Sequence, residues 1–513
     1  MKYSDDTFWL IKSLSKHEKR YFNLAAAKYK TEKKQNYLLL FEAMEKQKEY
    51  DESRLRRKFE GTLLGKNFAR EKIHLFDLLL RTFRQHPSER NAEVRIRDLI
   101  RGAEFLFSKT LYSSGHEQLM KARELALKHQ KHQLVVEIHE KEGLVMIQLE
   151  DKERMKTYID LHSKQATESA KLITLLQECR INHVYSFAFT KEMGEDFRNP
   201  ELLKKYEELL ARPLYKMDPE KLPFDAAHHI HFLRGVYARF RLNHHEYMEN
   251  TKLDLDLHKT HPEIAADKTD QHIASISNYC LAQIVLRRFA EALVTLEEMR
   301  SVPLNNLSSQ QRADSIYFPR KIDICNLLGK FDVIDGMIRE IRIFLRDNIG
   351  KFSPSKEIGF YWNISHCYFG AGNFKEALRW LNKITNNKQL AALRPDLHHS
   401  ERIYNIIIHF ELENFEIIEH LVRAARRSFE KTNKGFELEK LILLYVEKLC
   451  YLSHGKERMK IFSEFQKDYL LLRKKTPKRE DAFYFDFDAW FESKINVISF
   501  GDAVRRQNRS VVS

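Results

Sequence analysis

Seven histidines crowd one stretch of the chain: His228, His229, His231, His244, His245, His258 and His261 lie within 34 residues. Imidazole nitrogens ligate transition metals, and His228 with His231 share one face of a helix. A full ligand set is missing. There is no HExxH, and Asp225, the only nearby carboxylate able to share that face, serves equally as a helix cap after Pro223. His245 is better assigned to a turn, with Asn243 in the left-handed conformation that asparagine tolerates. Other chemical patterns fail in the same way. GTLLGKN, residues 61–67, has one residue too few between its glycines for a phosphate-binding loop and lacks the Ser or Thr that holds magnesium. Gly370 and Gly372 form a GxG with no preceding strand. Asp488 and Glu492 pair on an exposed face, and no nucleophile has an activating base beside it. The expectation is a protein with no catalytic residues, no cofactor and no metal.

The elements that carry these residues are more informative. In GFYWNISHCYFGAGNFKEALRWLNKITNN, residues 359–387, apolar side chains recur every three or four positions through Tyr361, Ile364 and Tyr368. Gly370 to Gly372 interrupt the period, and Phe374, Ala377, Leu378, Leu381 and Ile384 resume it. Two amphipathic helices joined by so short a turn must pack antiparallel. The unit recurs. Phe289, Phe331, Phe374 and Phe415 stand 42, 43 and 41 residues apart, each opening a second helix, and three residues further lie Ala292, Ile334, Ala377 and Ile418. Pro262, Pro303, Pro354 and Pro395 fall in the loops between units. Self-similarity at such a period marks a stacked helical array.

An aromatic and aliphatic first helix, a glycine turn, then an aromatic followed three residues later by alanine resembles the tetratricopeptide repeat. The period exceeds that family's usual value of about 34, and the resemblance is specific over about residues 225 to 430. It implies an all-α right-handed superhelix of antiparallel helix pairs that serves as a non-enzymatic scaffold, holding a peptide or a partner's helix in its concave groove. Eleven residues before the first three turn aromatics stand Asn278, Arg320 and Asn363, and His245 taken as an equivalent turn residue adds Arg234. In the family this side of the first helix lines the groove, where asparagine pairs with a peptide backbone and arginine with a carboxylate. The fourth unit departs, with Tyr404. Three residues on lie Leu281, Asp323 and His366, so the basic clamp for chaperone tails is absent. The candidate groove residues are Arg234, Asn278, Arg320, Asn363 and His366.

Length and composition agree with an array. The chain has 513 residues but only 16 Gly and 11 Pro, too few for a β-rich protein with many tight turns. Its five cysteines, Cys179, Cys280, Cys325, Cys367 and Cys450, are dispersed with no CxxC, which suits buried thiols in a reducing, cytoplasmic compartment. No apolar run approaches the length of a membrane span.

Residues 1–95 form a separate basic helical module. Ser15 and Glu18 make a capping box, Asp51 caps a short helix carrying Arg54, Arg56, Arg57 and Lys58, and Asn67 caps the next. Residues 1–100 hold 23 Lys and Arg against 15 Asp and Glu, a net of +8 in a chain whose total is +14. Clustered cations displace phosphate counterions, so the alternative function is a nucleic-acid-binding regulator that uses Arg54, Arg57 and Lys58, the repeats sensing a peptide or partner. Membrane-surface binding lacks a broad apolar face beside the basic one. Degenerate repeats follow over 96–225, with Gly115 at a turn, and tetratricopeptide-like repeats occupy 226–470. A capping helix is expected over 478–503, burying Phe483, Phe487, Trp490 and Phe491, and a disordered tail over 504–513.

Overall fold

The computed structural model describes residues 6–27, 36–84, 91–193, 200–304, 307–347, 354–386, 395–430, 437–452, 455–475 and 485–512. Among them the chain is all α, with short 3-10 and π turns and no strand. It divides into two compact units, Met1–Ala170 and Lys171–Ser513.

The first unit opens with helices α1 (Asp6–Ser13), α2 (Lys16–Ala27), α3 (Asn36–Lys46), α4 (Glu52–Lys58), α5 (Leu63–Lys66) and α6 (Phe68–Arg84). They enclose their own core, in which Phe8, Phe22, Phe41 and Leu75 are fully buried. The capping box forms as expected: Ser15 Oγ accepts from the Glu18 amide at 3.2 Å and Glu18 Oε2 from the Ser15 amide at 2.7 Å. Asp51 caps α4 through the Arg54 amide. Asn67 does not cap α6; its side chain donates to the Leu63 carbonyl behind it, closing α5. Pro87 and Ser88, expected to end α6, lie outside the described residues.

Next come α7 (Ala92–Ser108), α8 (Tyr112–Lys128), α9 (His132–Leu149) and α10 (Lys152–Thr157), around a second core that includes Ile96, Leu119, Ala122 and Val135. Gly115 is not at a turn. It lies inside α8 facing α7, where a Cβ would meet the Phe107 ring at 2.4 Å and the Ala103 carbonyl oxygen at 3.1 Å. Glycine there sets a close helix crossing. A π turn, Tyr158–His162, leads into α11 (Ser163–Met193), within which the first unit ends.

In the second unit, α12 (Pro200–Leu210) and two 3-10 turns precede a succession of helix pairs. They are α13 (Phe224–Phe240) with α14 (His244–Thr260), α16 (Thr269–Val285) with α17 (Phe289–Glu298), α18 (Leu307–Leu328) with α19 (Val333–Asp347), α20 (Pro354–Gly370) with α21 (Phe374–Thr385), and α22 (Pro395–Glu411) with α23 (Phe415–Glu430). The short α15 (Pro262–Asp267) joins the first two pairs. Each first helix packs on its own partner, and each pair packs on the next. Ala292, Ile334, Ala377 and Ile418 are all buried at the crossings. Where alanine is present, the neighbouring helix supplies a small donor: Cys280 Sγ lies 3.4 Å from the Ala292 carbonyl and Ser365 Oγ 2.8 Å from that of Ala377. Pro262, Pro354 and Pro395 open helices, as a residue without an amide proton can.

One backbone device closes each pair. Leu242, Arg287, Gly329, Gly372 and Glu413 take positive φ, between 58° and 76°. The amide of each bonds back three residues, and the following amide bonds back five, as in Asn243 to Ala238 and Asn373 to Tyr368. Thr110 and Gln130 build the same turn in the first unit. Glycine fills only two of these seven positions, so five L-residues bear a cost of roughly 1–2 kcal/mol each for the left-handed conformation. Asn243 therefore does not take it. Leu242 does, and Asn243 caps α14 by accepting from the Glu246 amide at 3.3 Å. The register places His244, rather than His245, where the later pairs have phenylalanine.

After α24 (Glu437–Cys450) and α25 (Lys456–Lys475) the chain turns back through α26 (Phe487–Ile495) and α27 (Phe500–Val512). Phe487, Trp490 and Phe491 are buried against Phe462, Phe465 and Tyr469 of α25; Phe483 lies outside the described residues. Of the stretch expected to be a disordered tail, 504–512 belongs to α27 and Ser513 lies outside the described residues. Arg505 Nη1 donates to the Gly329 carbonyl at 2.6 Å and Asn508 Nδ2 to that of Leu327, using carbonyls that the α18 C-terminus leaves open. Phe331 is held between Gly370, where a Cβ would lie 2.3 Å from its ring, and Gly501.

Candidate functional site

The polar positions predicted to line a groove have different fates. Asn278, on α16, is partly exposed at the wall of a cavity. Arg320, on α18, keeps 25% of its side chain in solvent and faces Asp323 at 3.7 Å. Surrounding protein raises the Asp323 carboxyl above its ordinary range, Arg320 opposing, although 36% of that side chain reaches solvent. The Arg320 charge also acts on Tyr247 and Cys280 of the neighbouring pairs.

Asn363 is engaged in packing. Its Nδ2 lies 3.5 Å from the carbonyl of Pro319, a proline inside α18, and its own carbonyl accepts from Asn326 Nδ2 at 3.1 Å. His366 stacks on Tyr404 at 4.3 Å and places Nδ1 3.2 Å from the Trp362 carbonyl. Phe485 then covers both rings, 6.0 Å from His366 and 5.4 Å from Tyr404. In the last two pairs this face is filled by the chain's own C-terminal segment. Arg234 is out of register: with Leu242 at the turn, the equivalent position is the fully buried Leu233, and Arg234 Nη2 instead donates to the Tyr215 carbonyl at 2.8 Å.

The cavity beside Asn278 measures about 240 Å³. Phe187, Phe232, Val236, Phe240 and Tyr247 supply its apolar wall, and Ser186, His231, Arg239, Thr251 and Asp254 its polar part. Asp254 belongs to a buried chain of hydrogen bonds. His228 Nδ1 pairs with Oδ1, Ser275 Oγ donates to Oδ2 at 2.7 Å and faces His258 Nε2 at 3.3 Å, and His258 stacks on His272 at 4.6 Å. Burial pushes His258 down to about 3, His272 adding to the effect, and burial lowers His272 and His231 as well. His229, bonded to the Tyr215 hydroxyl at 2.9 Å, is pushed down by burial to about 3. Serine, histidine and aspartate meet here, yet the arrangement is not a nucleophile relay: Asp254 binds the serine rather than orienting His258, and Ser275 is fully buried. Asp225, expected to cap a helix after Pro223, is ion-paired with Lys268 at 2.6 Å. Among the described residues no group of three or more His, Cys, Asp or Glu is placed to hold a metal ion.

The first unit contains a second polar cluster that sequence reading missed. Glu142 of α9 is fully buried, held by Arg123 Nη2 at 2.5 Å, His162 Nδ1 at 2.7 Å and His116 Nε2 at 3.1 Å. Burial alone would raise its carboxyl, but the histidine hydrogen bonds and the Arg123 charge outweigh it and hold the group at about 2. Tyr158 stacks on His139 at 4.5 Å, in space left by Gly143, where a Cβ would lie 2.5 Å from the Tyr158 hydroxyl. The π turn begins at Tyr158 and brings His162 to the carboxylate.

Arg54, Arg57 and Lys58 are all exposed on α4, with Lys58 Nζ 5.6 Å from the Phe59 ring. The thiols are inert by environment: burial pushes Cys179 up to about 12 and Cys280 to about 11. No helix of the described residues is long and apolar enough to cross a membrane. No protein-family model matches this chain, and no curated protein matches it in sequence.

Proposed function

We propose that the second unit is a protein-binding scaffold built on the tetratricopeptide plan, a superhelical array with a period near 42 residues. It takes an extended peptide or partner helix along the first helices of its early pairs, at Asn278 and Arg320. The observation that carries this reading is the difference between early and late pairs: Asn278 and Arg320 with Asp323 stay open to solvent, whereas the equivalent face at His366 and Tyr404 is covered by Phe485. A charged, solvent-reaching arginine beside an amide is suited to a carboxylate and a peptide backbone.

The test is quantitative capture of the natural partner by wild type, Asn278→Ala/Arg320→Ala and Asn363→Ala. The double variant should keep its melting temperature and lose at least tenfold in affinity, each charged or bidentate contact contributing roughly 1–3 kcal/mol. Asn363→Ala should lose stability rather than affinity. Unchanged capture by a folded double variant overturns the reading.

A second reading rests on the exposure of Arg54, Arg57 and Lys58. If the first unit contacts nucleic acid through α4, a mobility shift at low salt will weaken steeply with salt and with the triple change to Glu. No shift at low salt removes it.

A further inference from the structure

The cavity beside Asn278 has a shape and chemistry more specific than a generic peptide groove. At its mouth Phe187 is 55% exposed, and on the same helix Ile181, Val184 and Tyr185 are exposed at 54%, 67% and 48%. These three follow helical spacing, while α11 buries the polar Asn182 and Ser186 on its other side. An apolar stripe in solvent thus leads to an apolar opening. Inside, Phe232, Val236, Phe240 and Tyr247 form the wall. The space of about 240 Å³ exceeds the roughly 150 Å³ that a dry apolar cavity needs to admit benzene.

Most of its polar groups are engaged. Asp254 is taken by His228 and Ser275, the Thr251 hydroxyl by the Tyr247 carbonyl at 2.9 Å, and Arg239 has interactions of its own. His231 differs. It is only 7% exposed, and although its ring hydrogen-bonds with the Asn250 side chain, its Nδ1 has no hydrogen-bond partner among the described residues. Its ring is neutral at pH 7 because burial lowers its pKa, so Nδ1 donates or accepts according to tautomer. Asn278, from the next pair, also lines the cavity. A charged guest would lose its hydration against an aromatic wall, and a purely aliphatic one would leave both polar groups without a partner.

We propose that this cavity is an anchor pocket for a tyrosine side chain of the partner, the ring held by Phe232, Val236 and Phe240 and the phenol hydroxyl meeting His231 and Asn278. A phenol both donates and accepts, so it satisfies His231 in either tautomer; an indole can only donate. The proposal rests on the scaffold reading and adds the identity of the anchor. Buried tyrosines are frequent energetic centres of protein interfaces, since they bring apolar area and one directed bond at little entropic cost.

The experiment titrates the full chain with p-cresol, 3-methylindole and toluene, followed by ligand-observed NMR and calorimetry. The expected order is p-cresol at least tenfold tighter than toluene, with His231→Phe reducing p-cresol to the toluene level. Val236→Phe narrows the cavity from a partly exposed position and should abolish p-cresol binding and weaken partner capture while melting as wild type. Phe187→Ala, at the exposed mouth, is the variant to use if either of the others fails to fold, and should weaken both. Equal binding of toluene and p-cresol, tighter binding of 3-methylindole, or no binding of any probe overturns the tyrosine assignment. If Asn278→Ala/Arg320→Ala loses the partner but Val236→Phe and Phe187→Ala do not, the pocket fails and the scaffold reading stands.

Discussion

Glu142 and Asp254 are buried carboxylates, one in each compact unit, both held by histidines, and their surroundings carry charge in opposite ways. Glu142 has a guanidinium at hydrogen-bond distance and is ionised well below the usual carboxylate range. Around Asp254 the second unit gathers imidazoles that burial keeps neutral: His231, His258 and His272 nearby, and His183 and His229 further along α11 and α13. Removing water from a carboxylate is compensated by a guanidinium among the partners in one unit, whereas in the other His228 and the Ser275 hydroxyl hold the carboxylate. The difference teaches where each unit should be fragile: the first to loss of a partner, the second to acid.

Acid should have the largest effect. A histidine whose folded pKa lies below its unfolded value of 6.5 contributes stability that is complete above 6.5 and is lost as pH falls toward the folded pKa. His229 and His258, both near 3, therefore weaken the second unit by up to about 1.4 kcal/mol each per pH unit, or about 5 kcal/mol together between pH 6.5 and 4.5. Glu142 has the same sign in a lower window. Its pKa is lowered from 4.5 to about 2, so its contribution is intact above 4.5 and is lost as pH falls from there through 2; His139, lowered by burial and by Arg123, adds to the first unit's acid sensitivity. Three of the four tryptophans, Trp362, Trp380 and Trp490, are buried in the second unit, and Trp9 of the first is half exposed. Denaturant melts followed by tryptophan fluorescence should lose their midpoint steadily from pH 6.5 to 4.5. A fluorescence midpoint flat across that window would break the comparison.

Next in size is the loss of a partner. Arg123→Met strands the Glu142 charge and should destabilise the first unit by about 3–5 kcal/mol, while Arg123→Met with Glu142→Gln should recover much of it. Asp254→Asn removes an acceptor from His228 and Ser275 and should cost only about 1–3 kcal/mol in the second unit. Hydrogen exchange of α8 and α9 against α14 and α16 reads the two separately. Equal losses at both sites would mean that the Arg123 ion pair makes no difference.

How far the sequence revealed this architecture depended on whether a feature was periodic. The paired helices and the spacing from Phe289 to Phe415 were legible because each unit repeats the same apolar face, and a buried face cannot drift far. Turn register was harder, since the expected signal was glycine, and Leu242, Arg287 and Glu413 adopt the left-handed conformation without it. That shift by one residue is why Arg234 was grouped with Asn278 and Arg320. His366 was read on the correct helix, but nothing local announced that Phe485, more than a hundred residues later, would cover it. The polar clusters were least legible: His116, Arg123, Glu142 and His162 lie on separate turns of the chain with no motif spacing, and their meeting depends on helix packing alone. Histidine density did point to the Asp254 network, though not to Ser275 or His272.

The smallest effect concerns the two glycines at helix crossings, and it should differ in sign between the units. Glycine inside a helix is less favourable than alanine by about 1 kcal/mol, so replacing it stabilises wherever a methyl group fits. At Gly235, between α13 and α14, the nearest atoms to a new Cβ are Asn250 Cβ at 3.6 Å and Thr251 Cγ2 and the Tyr247 ring at 3.7 Å, which is ordinary contact. Gly235→Ala should therefore raise stability by about 0.4–1 kcal/mol. At Gly115 the methyl would fall 2.4 Å from the Phe107 ring with the Ala103 carbonyl behind it at 3.1 Å, so the ring must leave its place in the α7–α8 core. Overpacking of this kind costs about 1–3 kcal/mol, more than the helix gains, and Gly115→Ala should lower stability. Thermal melts by far-ultraviolet circular dichroism, with tryptophan fluorescence weighted to the second unit by its three buried tryptophans, separate the two. A stabilising Gly115→Ala would show that α7 and α8 can move apart without loss, and that their close approach at this crossing is not what holds the first unit's second core together.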